Sequence, residues 1–329
     1  MRPTGLTSQA ALALAIYLSG PGTAIAQVDN WPCKSVTMIN AFLPGGGTTI
    51  ESRLYGLKLQ ENTGKTVVQD FKPGAGTMLG TGYVVNAAPD GCTLLVATPA
   101  LTIAPLVYDN LRFDPIKDLA YLSMMSKRAT MLAANPKTPF NTGAEYIAYA
   151  KANPGKINFG TSGQAGSAHL SMQPLHQITG TTATFVHYKG GSTLFTALMS
   201  REVDVTMGSA ASFMPLFKAG KIKSLGLTSL QRHPVLPDMP TISESIKASW
   251  EYAPFLGFAT SAKTPVATLE RINAELVKVS KVPSLAEKLE GDLIIMVGSS
   301  RQEFTSFVTA EAARWRKVVA DANIKLGEE

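Results

Sequence analysis

Short runs of β-branched and aliphatic residues alternate along the chain with longer amphipathic stretches. Residues 36–42, 66–71, 93–98, 156–160, 182–188, 203–207 and 223–228 have the length and residue types of strands. Between them, apolar positions recur every three or four residues, the spacing of helices packed along one face. Strands alternating with helices imply crossovers, so the pattern predicts parallel sheets flanked by helices. Residues 130–250 carry their own set of strands and helices, bracketed by the apolar runs 121–125 and 254–259. Those runs read as connectors passing between two lobes. The expected fold class is α/β and two-lobed, each lobe a mainly parallel sheet with flanking helices. Residues 27–128 plus 251–329 would form lobe 1, and 129–250 lobe 2.

Two C-terminal helices complete the pattern. Residues 265–281 place Leu269, Ile272, Leu276 and Val279 on one stripe, and 301–322 do the same with Phe304, Val308, Trp315 and Val318. Trp315 is thereby assigned to the core. Ser300 and Glu303 have the spacing of a capping box at the start of the second helix.

Composition narrows the function. With 329 residues, 45% hydrophobic and 16% charged, the chain has material for two packed lobes and is neither disordered nor fibrous. Its net charge of +6 comes from scattered lysines and arginines, without the basic runs of a nucleic-acid binder. A weak positive field of this kind favours small anions. Arg2, the apolar run 10–18, Ser19-Gly20-Pro21-Gly22 and Ala24-Ile25-Ala26 read as an export signal, residues 1–26, cleaved after Ala26. No later run approaches the roughly 20 apolar residues of a membrane helix, so a soluble periplasmic protein is expected.

The most informative segment is Phe42-Leu43-Pro44-Gly45-Gly46-Gly47-Thr48-Thr49, between the first strand and a helix whose apolar stripe is expected at Ile50, Leu54 and Leu57. Thr48 and Glu51 have capping-box spacing. Glycines before a helix N-terminus allow close backbone approach and leave amides for an anion, although the same glycines also suit a plain tight turn. The spacing is neither a dinucleotide fingerprint nor a P-loop. A second loop of the same chemistry holds Thr161, Ser162, Gly163, Ser167 and His169, and Pro73-Gly74-Ala75-Gly76 offers a third wall. Two such turns on two lobes suggest a clamp on a carboxylate, built from amides and hydroxyls without a buried arginine. No catalytic motif is present, and His169 and His176 are separated by Pro174 in poor geometry for sharing a metal. Neither cofactor nor metal is expected, and no enzymatic turnover.

These stretches together make the chain resemble the receptors of the tripartite tricarboxylate transporter family, the Bug receptors. The resemblance spans the mature sequence. It rests on Trp31-Pro32, Pro44-Gly45-Gly46-Gly47-Thr48, Lys72-Pro73-Gly74-Ala75-Gly76, Ala88-Pro89-Asp90-Gly91, Ala152-Asn153-Pro154-Gly155-Lys156, His187-Tyr188-Lys189-Gly190, Lys218-Ala219-Gly220-Lys221 and Leu236-Pro237-Asp238-Met239-Pro240-Thr241. It implies a periplasmic-binding-protein (Venus flytrap) fold whose cleft delivers an organic carboxylate to membrane permease subunits, the receptor itself being a monomer. The expected cleft further includes Thr98, Pro99, Ala100, Tyr188, Gly208, Ser209 and Phe255. Thr49 and Gly208 stand where the family often has Asp, and Phe255 where it often has Trp. Losing two acids argues against amino-acid ligands and removes repulsion toward a second anionic end, while Phe255 and the flanking Pro99, Ala100 and Leu101 fit an aromatic body, hence an aromatic mono- or dicarboxylate such as terephthalate. Aliphatic di- or tricarboxylates, and a sensor partnered with a membrane kinase, are the alternatives. Cys33 and Cys92 precede strands that this architecture makes neighbours. A disulfide and two independent thiols both remain open.

Overall fold

A computed structural model describes residues 31–321 except 46, 107, 109, 110, 162–166, 189 and 190, and only the backbone of 167, 191 and 192. The expected signal segment, Gly46, Ser162 and Gly163 therefore lie outside the described residues. Eleven strands form two sheets among the described residues. In chain order they are β1 Ser35–Asn40, β2 Thr66–Phe71, β3 Thr93–Ala97, β4 Leu119–Arg128, β5 Thr130–Ala134, β6 Asn158–Thr161, β7 Thr184–His187, β8 Val205–Ser209, β9 Lys223–Leu227, β10 Phe255–Ser261 and β11 Ile294–Met296. The first sheet has the order β11-β4-β10-β3-β1-β2, the second β7-β6-β8-β5-β9.

Both faces of each sheet are covered, which is why the strands read as nearly continuous apolar runs. On one face of the first sheet, Val36, Met38, Leu94, Val96 and Phe258 pack against Leu269, Ile272, Leu276 and Val279 of the helix Val266–Ser280. On the other, Ile39, Leu95, Tyr121 and Phe255 meet Phe304 and Val308 of the helix Arg301–Asp321. Ser300 and Glu303 cap that helix reciprocally: Glu303 N donates to Ser300 Oγ at 3.2 Å, and Ser300 N to Glu303 Oε2 at 2.8 Å. Trp315 is buried, as its place on the stripe predicts. In the second sheet, Leu132, Phe159, Val205 and Met207 pack on Tyr146 and Ile147 of the helix Gly143–Ala152.

The sheets are less parallel than the alternation predicts. β1 pairs in parallel with β2 and β3, and β6 with β7 and β8, but β10 runs antiparallel to both β3 and β4, and β5 to both β8 and β9. The reason is the crossing. β4 ends at Arg128 and β5 starts at Thr130, so β5 enters the second sheet from the end at which that sheet's other strands finish, and it must run away from it. β10 enters the first sheet in the same manner. The two apolar runs expected as connectors are themselves strands, β4 and β10, adjacent interior strands of the first sheet.

The cysteines are joined: Cys33 and Cys92 form a disulfide across 59 positions of sequence, just before the parallel neighbours β1 and β3. None of the described helices is long and apolar enough to cross a membrane.

Candidate ligand-binding site

The C-terminal ends of β1, β2 and β3 open onto one cavity of about 390 Å³, the place where open α/β sheets present loops to ligands. Phe42 follows β1, Gly76 follows β2, and Thr98, Pro99 and Ala100 follow β3. The crossing strands close it: Ser126 and Arg128 at the end of β4, and Phe255 and Leu256 at the start of β10 after Tyr252 and Pro254. Thr48 and Glu51 come from the first turns of the helix Gly47–Thr63. Apart from two charged groups, the described lining is aliphatic, aromatic or hydroxyl-bearing.

Those two charges are paired. Arg128 Nη2 donates to Glu51 Oε2 at 2.6 Å, while Glu51 Oε1 accepts from Ser126 Oγ and, at 3.1 Å, from Tyr55 Oη. The Glu51 side chain is 3% exposed and that of Arg128 is 26% exposed, so the acid is buried behind the guanidinium. Burial foremost, and the Glu51 charge next, push the Tyr55 hydroxyl far above its ordinary range, so it stays protonated and serves as a donor. Glycine at 47 has a steric reason, since a Cβ there would stand 3.0 Å from Arg128 Nη1. Gly76 has φ +56°, and a Cβ there would sit 2.8 Å from the Tyr108 ring.

This arrangement overturns two expectations at the glycine turn. The Thr48–Glu51 capping box does not form, because the Glu51 oxygens are engaged by Ser126, Tyr55 and Arg128. The stripe Ile50, Leu54, Leu57 is not the buried face: Ile50 and Leu57 are exposed, while Thr49, Glu51, Ser52, Tyr55, Gly56 and Leu59 are buried. The first turns face polar partners, Ser126, Arg128 and the Asn40 amide, which donates to Ser52 Oγ at 3.0 Å, while Tyr55 and Leu59 further along join the apolar core. Thr49 is buried and its hydroxyl accepts from Gly45 N at 3.0 Å, which ties the turn together. Leu43 is 70% exposed and, with Pro44 and Gly45, lies outside the cavity lining. A guanidinium also stands at this turn, beside the amides and hydroxyls expected of the clamp.

The second sheet gathers its own expected residues at the ends of β6, β7 and β8. Thr161 is buried and its hydroxyl shares a 2.6 Å hydrogen bond with His187 Nδ1, while Tyr188 N donates to Thr161 O at 2.9 Å. His169 stands 4.4 Å from the Phe185 ring and 5.0 Å from that of His187, on the helix Ser167–Thr179. Burial first, then the neighbouring His187, bring its pKa down to about 4. Gly208 and Ser209 end β8, and a Cβ at 208 would meet the Phe213 ring at 2.9 Å, so an aromatic fills the space a larger residue would need. None of these residues lines the cavity described above.

A family model for the tripartite tricarboxylate transporter family receptor matches residues 52–324. The chain belongs to this family of solute receptors. A UPF0065 protein from the tcbD-tcbE intergenic region of Pseudomonas sp. is 28% identical over 316 residues, 96% of this chain and 94% of that one. Among solved structures, an R. palustris protein with adipate is 29% identical, with a TM-score of 0.76 over 89% of this chain and 99% of the other. The periplasmic binding protein BugD is 25% identical, with a TM-score of 0.72 over 88% and 98%. Within this receptor fold, sequence reasoning reached Phe42, Thr48, Gly76, Thr98, Pro99, Ala100 and Phe255 around the cavity and missed Glu51, Tyr108, Ser126, Arg128 and Tyr252. The available signal was slight: Ser126 and Arg128 interrupt the end of an otherwise apolar strand, and Glu51 interrupts a helix start.

Proposed function

We propose that this receptor is exported by cleavage after Ala26, captures an aromatic mono- or dicarboxylate such as terephthalate in the periplasm, and delivers it to the permease subunits of a tripartite transporter. The observation that carries the reading is the Arg128 guanidinium, paired with Glu51, at the glycine turn of a cavity of about 390 Å³ whose described lining is otherwise aliphatic, aromatic or hydroxyl-bearing. A carboxylate takes charge-assisted hydrogen bonds from the guanidinium, and its ring lies against Pro99, Phe255 and the tyrosines. The lobes 27–128 plus 251–329 and 129–250 then close, bringing Thr161, His169, Tyr188 and Ser209 towards the distal end. Closure requires that the ligand gain contacts in the shut form that the open form lacks.

An aliphatic dicarboxylate is the second reading, favoured by the adipate in the R. palustris relative. A thermal-shift screen of the mature chain against benzoate, terephthalate, adipate and citrate separates the two. A ligand that binds only the folded state at about 100 times its Kd adds about 2.7 kcal/mol of stability. Stabilisation by the aromatic acids above the aliphatic ones is expected. The reverse order would select the second reading, and stabilisation by none would remove both.

A further inference from the structure

We infer that the Glu51–Arg128 pair makes this cavity selective for ligands carrying a single negative charge, Glu51 acting as the specificity-determining residue from behind the arginine. The inference rests on the carboxylate reading above and narrows it, from mono- or dicarboxylates to the singly charged ones, so that terephthalate becomes the weaker member of its pair. Among the described residues lining the cavity, Glu51 and Arg128 are the charged ones, so the lining carries no net charge before a ligand arrives. One carboxylate on the outer edge of Arg128 makes the site singly negative. A second carboxylate on the same ligand would find hydroxyls in the rest of the described lining but no counter-charge.

Glu51 does not serve the ligand directly. One of its oxygens accepts from Ser126 and Tyr55 and the other from Arg128, and its side chain is 3% exposed. An ammonium group on a ligand would meet a carboxylate whose two oxygens are already engaged. What Glu51 does is hold one nitrogen of the guanidinium and offset its charge. The remaining face of Arg128 is positioned for one carboxylate, and the field available for a second is cancelled at source.

Calorimetric titration of the mature chain with paired probes tests this, because a half-ester keeps the body of a diacid and removes one charge. The probes are monomethyl terephthalate against terephthalate and monomethyl adipate against adipate, at neutral pH and constant ionic strength. In each pair the half-ester is expected to bind about tenfold more tightly or better. In Glu51→Gln, which retains the shape and the acceptor for Arg128, the ratio is expected to fall by about tenfold through tighter binding of the diacids. Equal or tighter diacid binding by the unaltered protein would overturn the inference. So would an unchanged ratio in an E51Q protein whose circular dichroism and melting match the parent. Should E51Q fail to fold, the ratio in the unaltered protein decides alone. If none of the probes binds, the carboxylate reading itself fails, an outcome distinct from binding without charge selectivity.

Discussion

Arg128 shows how much of a binding site one residue can carry without announcing itself. In sequence it is half of a Lys127-Arg128 pair in a chain of scattered basic residues, and a solvated surface is the ordinary reading of such a pair. In the fold it meets Glu51, 77 positions away, in the lining of the cavity. Arg128→Met should weaken carboxylate binding roughly 30- to 100-fold, the equivalent of about 2–3 kcal/mol of charge-assisted hydrogen bonding. It should also destabilise the fold by about 2–3 kcal/mol, because Glu51 is left buried without its cation. Titration calorimetry reads the first effect and urea unfolding the second. The double variant R128M/E51Q should recover part of the stability but none of the affinity, which separates the two roles. Full affinity in R128M would mean that the anion is held elsewhere.

At the scale of elements, the helix Ser167–Thr179 packs two histidines against β7. His169 and His176 flank the Phe185 ring at 4.4 and 5.7 Å, and both have their pKa lowered to about 4 from an ordinary 6.5, burial being the first cause and a neighbouring histidine the second. The sign follows from linkage. Between those values the unfolded chain binds protons that the folded chain refuses, so stability is full above the ordinary histidine range and falls as pH drops through it towards 4. Urea midpoints across this window should decline with acidity, and His176→Phe should flatten the slope. A slope unaffected by that substitution would mean that other groups carry it. The helix Gly47–Thr63 teaches a complementary lesson. Its apolar residues at 50 and 57 point outward because the inward face is set by the hydrogen-bonded Glu51 and Ser52 together with Tyr55 and Leu59 in the core, so periodicity named the helix and misnamed its buried side.

At the scale of the whole molecule, Cys33–Cys92 closes a loop of 59 positions and holds the start of the described chain to the first sheet. Trp31 adds to this tether, its Nε1 donating to Gly91 O at 2.9 Å. Replacing both cysteines with serine should lower the unfolding free energy by about 2–4 kcal/mol, since the open chain regains loop entropy when unfolded. Carboxylate affinity should not change, because neither cysteine lines the cavity. Chemical unfolding and calorimetry on the double variant check both halves. A loss of affinity without a loss of stability would contradict them.

Local patterning was enough to define β2 as 66–71, the C-terminal helices with their cap, and the glycine turn after β1, because each depends on residue types within a few positions of one another. It also supported two lobes, through the doubled run of strands and helices and its apolar brackets. Strand direction at the crossings was beyond it. β5 and β10 look like any other apolar run, and only the route of the chain between sheets reverses them. The charged heart of the cavity was beyond it as well. Glu51, Ser126 and Arg128 acquire their meaning from contacts 75 and 77 positions apart, and hydrogen bonds at such separations leave no period in the sequence.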